Sequence, residues 1–153
     1  MIALIRIRGS IGTRHDIKQT FKMLRLKTCN QLCVLPETQT IKGMLKKVEN
    51  FSTFGTIEEK TLAALLQKRG RIAGNKRISQ EFLKEKKIGS FEELAKGMID
   101  GKIALKNLGI KPVFRLSPPR KGFERAGIKK PFKLGGALGD RKEKINALIE
   151  RMM

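Results

Sequence analysis

The chain has 153 residues, of which 34 are lysine or arginine and 14 are aspartate or glutamate, so its formal net charge is +20. That length suits one ordinary domain, or a smaller domain with an extension. Because a bound polyanion relieves the self-repulsion of so much positive charge, nucleic acid is the first candidate partner and an anionic membrane is the second.

The apolar segments argue against a membrane protein. No apolar run reaches the roughly 18 residues that a membrane-spanning helix needs. The sequence also has no basic amphipathic helix with an aromatic and leucine-rich face, and no lipidation signal. Arg6 and Arg8 interrupt the apolar start MIALIRIRG, which is unlike a signal peptide. We therefore expect a cytoplasmic protein.

The first 57 residues predict a β-α-β-α-β order. Alternation in IALIRIR predicts a strand that carries Arg6 and Arg8 on one face. Apolar residues at helical spacing then predict two helices, the second capped by Thr38 or Thr40. The predicted elements are a strand over 2–8, a helix over 15–26, a strand over 30–35, a helix from about 38–40 onward and a strand over 54–57. Such a unit buries one face of a sheet under two helices, which makes the chain α+β.

Residues 58–153 predict an appended, mostly helical extension. A helix over 58–67 is followed by a short helix that Ser79 can cap. Two capping boxes, Ser90 with Glu93 and Asp140 with Glu143, predict the starts of two further helices. The last of these has an apolar face that we expect to dock on the body of the protein. We therefore divide the chain into a core, 1–57, and an extension, 58–153.

Two basic loops interrupt the extension. The first, 68–77, has five basic residues in ten. The second, 111–139, holds eight lysines and arginines, one acid and four of the five prolines, so it cannot be a long helix. Repeated cations on extended and turned backbone suit phosphates at irregular positions in folded RNA. A disordered linker is the alternative, but a pure linker would have few of the apolar residues found here: Val113, Phe114, Leu116, Phe123, Ile128, Phe132 and Leu134.

The turn Gly9–Arg14 joins the first strand to the first helix. Its glycines let the backbone approach a phosphate, a helix N-terminus follows, and Arg14 adds a forked donor. The nucleotide-binding patterns G-x-G-x-x-G and G-K-[ST] are missing, and the G-x-x-G clamp of KH domains joins two helices instead. An RNA phosphate contact and a simple tight turn both remain open here.

Residues suited to catalysis or metal binding give weak signals. His15 is the single histidine and has no identifiable nucleophile partner. The carboxylate pairs at 58–59 and 92–93 begin predicted helices, where acids suit the helix dipole. Cys29 and Cys33 have C-x3-C spacing with no second pair, so we expect small buried thiols rather than a zinc site. We expect no enzyme activity, cofactor or metal.

Four stretches resemble the universal L-seven/L-thirty family of large-subunit ribosomal proteins, in its longer archaeal form. GSIGTRHDIKQTFKMLRLKTCN resembles the family's strand-exit turn and following helix, with its pattern at Leu26, Lys27 and Asn30. TIKGMLKKVENFSTFGTI resembles the helix start at Gly43-Met44 and the closing strand. LLQKRGRI and SPPRKGFERAGIKKPFKLGGALGDRKEKINALI resemble the archaeal and eukaryotic extension. The chain departs from the pattern at Ser117, where histidine is expected before the prolines.

The resemblance implies a ferredoxin-like core of three strands under two helices and a structural, non-catalytic role. It implies large-subunit rRNA as partner, a position near the 5S RNA, neighbouring ribosomal proteins, and a monomer within the ribosome. A DNA-architectural protein is the rival, although no helix concentrates base-reading residues and no dimer-spaced repeat occurs. The residues predicted to bind RNA are Arg6, Arg8, Gly9, Ser10, Gly12, Thr13, Arg14, His15, Lys42, Lys68, Arg69, Arg71, Lys76, Arg77, Arg115, Arg120, Lys121, Arg125, Lys129, Lys130 and Lys133.

Overall fold

The computed structural model describes residues 1–86, 88–105 and 107–153, without the side chain of residue 84. Short 3-10 turns connect several of its helices and strands. In chain order the elements are β1 (Ile2–Arg6), α1 (His15–Met23), β2 (Gln31–Leu35), α2 (Gln39–Val48), β3 (Ser52–Thr56), α3 (Glu59–Arg69), α4 (Gln80–Glu85), α5 (Phe91–Ile99), β4 (Val113–Arg115), β5 (Gly139–Asp140) and α6 (Ile145–Met152).

The predicted β-α-β-α-β order of the first 57 residues is confirmed, but the sheet is wider than expected. Within the described residues it has five strands, in the order β4-β2-β1-β3-β5. β1 pairs antiparallel with β2 and β3, and β2 pairs antiparallel with β4. β5 adds a parallel edge beside β3. The two edge strands β4 and β5 come from the extension and were not predicted, because strands of two or three residues show no alternation in the sequence.

Helices cover both faces of this sheet. Side chains alternate along a strand, and every residue of β1 is buried. Ile2 and Leu4 pack with Phe21 of α1 and Leu45 of α2. On the other face the core is built from α3, α5 and α6 against β1, β2 and β4, and its members include Ala3, Ile5, Leu32, Leu62, Leu65, Leu94, Phe114, Leu148 and Ile149. The extension thus supplies the second helical layer, and the expected docking of the last helix is confirmed.

The end of α1 differs from its predicted position at residue 26. Arg25 has a φ of 61° and lies in the left-handed region. Its N–H donates to the Lys22 carbonyl over 3.1 Å, and the N–H of Leu26 donates to the Phe21 carbonyl over 3.0 Å. This pair of bonds is a Schellman motif, which closes a helix and usually places glycine where Arg25 stands. The helix therefore ends at Met23.

Two of the predicted helix caps are confirmed and one is wrong. The hydroxyl of Thr38 accepts from the N–H of Ile41 at the start of α2, which confirms one of the two predicted caps. The hydroxyl of Ser90 accepts from the N–H of Glu93, as predicted for α5. The box at Asp140 is wrong, because the Asp140 carboxylate accepts from the N–H of Lys142, and a 3-10 turn then leads into α6.

The two cysteines lie in different surroundings. Cys33 is buried on β2, whereas Cys29 is exposed, so the expectation of two buried thiols is wrong for Cys29. Burial raises the pKa of the Cys33 thiol to about 12. Among the described residues, no group of three or more His, Cys, Asp or Glu side chains is placed to hold a metal ion. The same residues form no helix long and apolar enough to cross a bilayer.

Gly55 and Gly43 are expected to respond oppositely to alanine. A Cβ on Gly55 would collide with the Lys142 carbonyl and come within 3.1 Å of the Ile145 Cβ, whereas nothing lies within 4 Å at Gly43 in α2. We expect Gly55→Ala to lower the free energy of unfolding by about 1–3 kcal/mol through overpacking. Gly43→Ala should raise it by about 0.5–1 kcal/mol, because alanine favours the helix. Urea denaturation of both variants tests this, and equal effects would contradict the packing of β3 against the 142–145 turn.

Candidate nucleic-acid interface

The strand register brings the predicted RNA-binding segments to one end of the sheet. Arg6, at the end of β1, stands opposite Ser52, at the start of β3. Gln31, at the start of β2, stands opposite Arg115, at the end of β4. β5 begins beside β3, with Gly139 against Thr53. β1 and β4 therefore finish, and β2, β3 and β5 begin, at the same end, which we call the basic end.

Arg6 organises the turns at the basic end. Its side chain is buried, and its guanidinium donates to the carbonyls of Leu26 over 2.8 Å and Lys27 over 3.0 Å. It also donates to the Arg8 carbonyl and to the Ser10 hydroxyl. Burial lowers the pKa of Arg6. Since most of its donors point at the protein, Arg6 holds the turn after β1 against the turn before β2.

The guanidinium of Arg6 also lies 4.3 Å from the centroid of the Phe21 ring. Arg8 makes a similar contact 4.8 Å from the Phe51 ring and donates to the Asn50 carbonyl. Cations stacked on aromatic faces lose side-chain freedom before any ligand arrives. Arg8 is half-buried and Arg6 is buried, so the prediction that both bind RNA describes Arg8 better than Arg6.

The turn between β1 and α1 is tight and solvent-facing. Gly12 has a φ of 68°, which favours glycine. The N–H of Thr13 donates to the Ser10 carbonyl, and the buried Thr13 hydroxyl donates to the Gly9 carbonyl. Arg14 and His15 are exposed where α1 begins, and Arg14 pairs with Asp16. The geometry fits both alternatives of the sequence analysis, a tight turn and a phosphate contact.

The segment 111–139 is folded onto the body, as its apolar residues suggested. The N–H of Ser117 donates to the Met152 carbonyl over 3.0 Å, and the N–H of Arg120 donates to the Arg151 carbonyl over 2.9 Å. The Ser117 hydroxyl accepts from Arg69 over 2.6 Å. Further along, Ala137 and Leu138 form a small apolar cluster with Ile7 and Phe123. This second basic loop therefore lies beside the exit of β1.

A partly buried ion pair ties this segment to the sheet. Arg141, whose side chain is 2% exposed, donates twice to the Glu124 carboxylate at 2.5 Å. It also donates to the Thr53 hydroxyl on β3 and to the Ala137 carbonyl. Arg151 of α6 donates to the same carboxylate over 3.2 Å. Glu124, the single acid in 111–139, thus joins the loop, β3 and α6.

The predicted cations of the extension divide by exposure. Arg69 and Arg71 are half-buried, and Lys68 and Arg69 belong to α3 rather than to a loop. The remaining predicted cations of the extension are exposed, namely Lys68, Lys76, Arg77, Arg115, Arg120, Lys121, Arg125, Lys129, Lys130 and Lys133. Lys42 lies apart from the others, near the start of α2, where it pairs with Glu37 over 2.8 Å. α2 begins beyond the far end of β2, so Lys42 is not brought to the basic end.

Three cations near the β4 edge of the sheet were not predicted. Arg25 and Lys27 lie in the turn before β2, and Lys111 precedes β4. The fold sets these three beside Arg69 and Arg71, more than 40 residues away from Arg25 along the chain. Residues so far apart in the chain leave no local sequence pattern that predicts that they lie close together.

Comparison with known proteins gives the family. Residues 2–51 match the family described as ribosomal protein L30p/L7e. The chain is also 54% identical to a protein of Nanoarchaeum equitans over 99% of this chain and 97% of that protein. That relative is named "Large ribosomal subunit protein uL30". The chain belongs to the L30p/L7e family. Two further uL30 relatives, from Methanococcus maripaludis and Methanosphaera stadtmanae, are 53% and 45% identical and are matched over 98% and 100% of their lengths.

In this L30p/L7e protein, the ion pair of Glu124 should make stability depend on acid pH. Burial opposes ionisation of Glu124, but the hydrogen bonds and charges of Arg141 and Arg151 outweigh it, so the pKa of Glu124 lies below its usual value. A lowered folded-state pKa gives stability that is present above the unfolded value near 4.5 and lost as pH falls through the folded value. In Glu124→Gln, the free energy of unfolding should therefore fall less steeply as the pH is lowered below about 4.5.

The same variant should lose about 3 kcal/mol at neutral pH, because Arg141 would keep a buried charge without its carboxylate. Chemical denaturation from pH 7 to pH 3 measures both effects. Glu150→Gln, at an exposed position of α6, is the matched control. If both variants kept the wild-type slope and stability, the ion pair would have no role in holding 111–139.

Proposed function

We propose that the chain is a structural constituent of the large ribosomal subunit that binds and stabilises folded large-subunit rRNA. The observation that carries this function is similarity over the whole chain: relatives named as large ribosomal subunit proteins match 99% of this sequence at 52–54% identity. Similarity of that extent includes the basic extension as well as the 2–51 region. The protein accordingly belongs to the ribosome, in the cytoplasm.

The basic end is the surface that we propose for rRNA contact. The turn Gly9–Arg14, the loop 68–77 and the segment 115–133 each bring lysines or arginines to it. The net charge of +20 favours a polyanion. Phosphate contacts made by irregular loops recognise RNA through its shape rather than through base edges in a groove.

The finer description belongs to the same proposal. Residues 1–57 form a ferredoxin-like unit of three strands and two helices, and residues 58–153 form the extension that completes its sheet. The chain acts without catalysis and as a single copy, beside neighbouring ribosomal proteins. A position near the 5S RNA is supported by the resemblance of the extension to the archaeal long form. None of these points is needed for the proposed role in rRNA binding.

Sedimentation of native lysate through a sucrose gradient tests this function. We expect the protein to migrate stoichiometrically with the large subunit and to remain there through a moderate salt wash. Treatment with RNase should release it. Migration at the top of the gradient, or with DNA after RNase treatment, would overturn the ribosomal assignment and favour a DNA-architectural protein.

Arg120 and Lys121 are exposed in the loop that follows β4 and are suited to a direct test of contact. We expect Arg120→Ala with Lys121→Ala to weaken binding to purified large-subunit rRNA and to reduce the slope of log affinity against log salt by about 1 per lost phosphate contact. The midpoint of thermal unfolding should stay nearly unchanged. Filter binding from 50 to 200 mM salt, where 6–10 contacts imply a loss of about 10³–10⁵ in wild-type affinity, measures the effect.

The matched control is Lys60→Ala with Lys96→Ala, which removes the same charge from exposed positions on α3 and α5. This control should change the slope of log affinity against log salt by less than about 0.5 relative to wild type. Equal losses of binding in both double variants would show a general charge effect. A fall in thermal stability of Arg120→Ala with Lys121→Ala would mean that these side chains pack rather than bind.

A further inference from the structure

A basic cleft opens beside the edge strand β4. Its volume is about 460 Å³, and it lies between the turn before β2, the end of α3 and the edge strand β4. No aspartate or glutamate occurs among the described residues that line it. We call it the arginine cleft, after its six cationic residues Arg25, Lys27, Arg69, Arg71, Lys111 and Arg115.

In the part of the chain that the structure describes, none of the six cations of the arginine cleft is paired with an aspartate or glutamate side chain. Arg69 donates to the Ser117 hydroxyl and, over 2.7 Å, to a main-chain oxygen of Met153. Like charges held together cost stability. Six cations in one cleft therefore favour the binding of a negatively charged ligand.

The backbone at Arg25 carries an independent sign of function. Its φ of 61° lies in the region that costs a side-chain-bearing residue about 1–2 kcal/mol and costs glycine nothing. This is the position after α1 at which helices usually place glycine. An arginine held there, with its side chain lining the cleft, is unfavourable for stability alone. Strain of this kind is typical of a binding site.

Asn75, which also lines the cleft, has a φ of 64°. Asparagine tolerates this conformation and can donate hydrogen bonds to an anion. The paired strands β2 and β4 form another wall of the cleft, where Arg115 stands directly opposite Gln31. Segments from three distant parts of the chain therefore direct hydrogen-bond donors into one concave space.

We propose that the arginine cleft is a phosphate-binding site that holds the backbone of a sharply turning strand of rRNA. The proposal rests on the proposed function in rRNA binding. A fold in an RNA strand crowds its phosphates, and converging cations relieve the repulsion between them. Guanidinium forks match phosphate oxygens in pairs. The cleft thus selects a backbone shape, which is how irregular RNA is commonly recognised.

The first test replaces three cations of the cleft by glutamine: Arg25→Gln, Arg71→Gln and Arg115→Gln in one variant. The control variant carries Lys47→Gln, Lys60→Gln and Lys96→Gln, which removes equal charge from exposed positions outside the cleft. Affinity for purified large-subunit rRNA is measured between 50 and 200 mM salt. We expect the cleft variant to reduce the salt slope by about 2–3, and the control by less than about 1.

Hydroxyl-radical footprinting of the same complexes locates the contact. The cleft variant should lose protection at one short stretch of rRNA backbone and keep the other protected sites. The control variant should keep them all. An unchanged footprint and a slope equal to that of the control would overturn the cleft proposal, and would leave the cleft for another partner, such as an acidic protein segment.

A second variant separates binding from folding. Arg25→Gly removes the cationic side chain and relieves the left-handed backbone, so its thermal midpoint should equal or exceed that of wild type while rRNA affinity falls. Arg25→Lys keeps the charge and should retain most of the affinity. Unchanged affinity in Arg25→Gly would exclude Arg25 from the site. If the wild-type protein itself fails to bind rRNA, the proposed function fails, which is distinct from failure of the cleft alone.

Discussion

The constraint on which this structure depends is the central strand β1, which is buried on both faces. Its residues IALIR send Ile2 and Leu4 to one side and Ala3 and Ile5 to the other. A strand of this kind needs a helical layer on each side to keep its apolar surface from water. The first 57 residues supply one layer, α1 and α2. The extension has to return across the sheet to supply the other.

That return fixes where the charge lies. α3 runs back along the sheet, and β4 and α6 also finish at the basic end, so the loops between them emerge beside the turn after β1. Few acids stabilise this end of the protein: the Glu124 carboxylate pairs with both Arg141 and Arg151. The guanidinium of Arg6 connects two turns without any acid, because it donates to the backbone carbonyls of Leu26 and Lys27. Hydrophobic packing thus determines the position of the cations, and only a few polar contacts order them.

Local patterns in the sequence predicted the elements that such patterns determine. Helical spacing of apolar residues located α1, α2 and α5, and alternation located β1, because these periods arise within a single element. A short apolar run that ends before Pro36 located β2. The edge strands β4 and β5 escaped prediction, since two or three residues carry no period and their pairing partners lie about 80 residues away. The Asp140 box failed because Asx-turns and helix caps use the same residue types.

In the candidate interface, too, local patterns predicted some features, and others depend on contacts between distant parts of the chain. Charge and glycine content identified the turn after β1 and both basic loops from composition alone. Alternation placed Arg6 and Arg8 on one face, yet it could not show that Arg6 turns inward to the carbonyls of the turn before β2. Lys42 looked equivalent to the other cations, because its position away from the basic end depends on tertiary structure. The arginine cleft needs the whole fold before its residues meet.

The unequal burial of the two cysteines makes the basic end accessible to spectroscopy. Reaction with a maleimide or iodoacetamide dye requires the thiolate, and burial on β2 with a pKa of about 12 keeps Cys33 in the unreactive thiol form. Cys29 is exposed in the turn between Lys27 and Gln31. The natural sequence therefore directs a fluorophore to a single position beside the arginine cleft, where anisotropy or energy transfer can follow the arrival of RNA without any substitution.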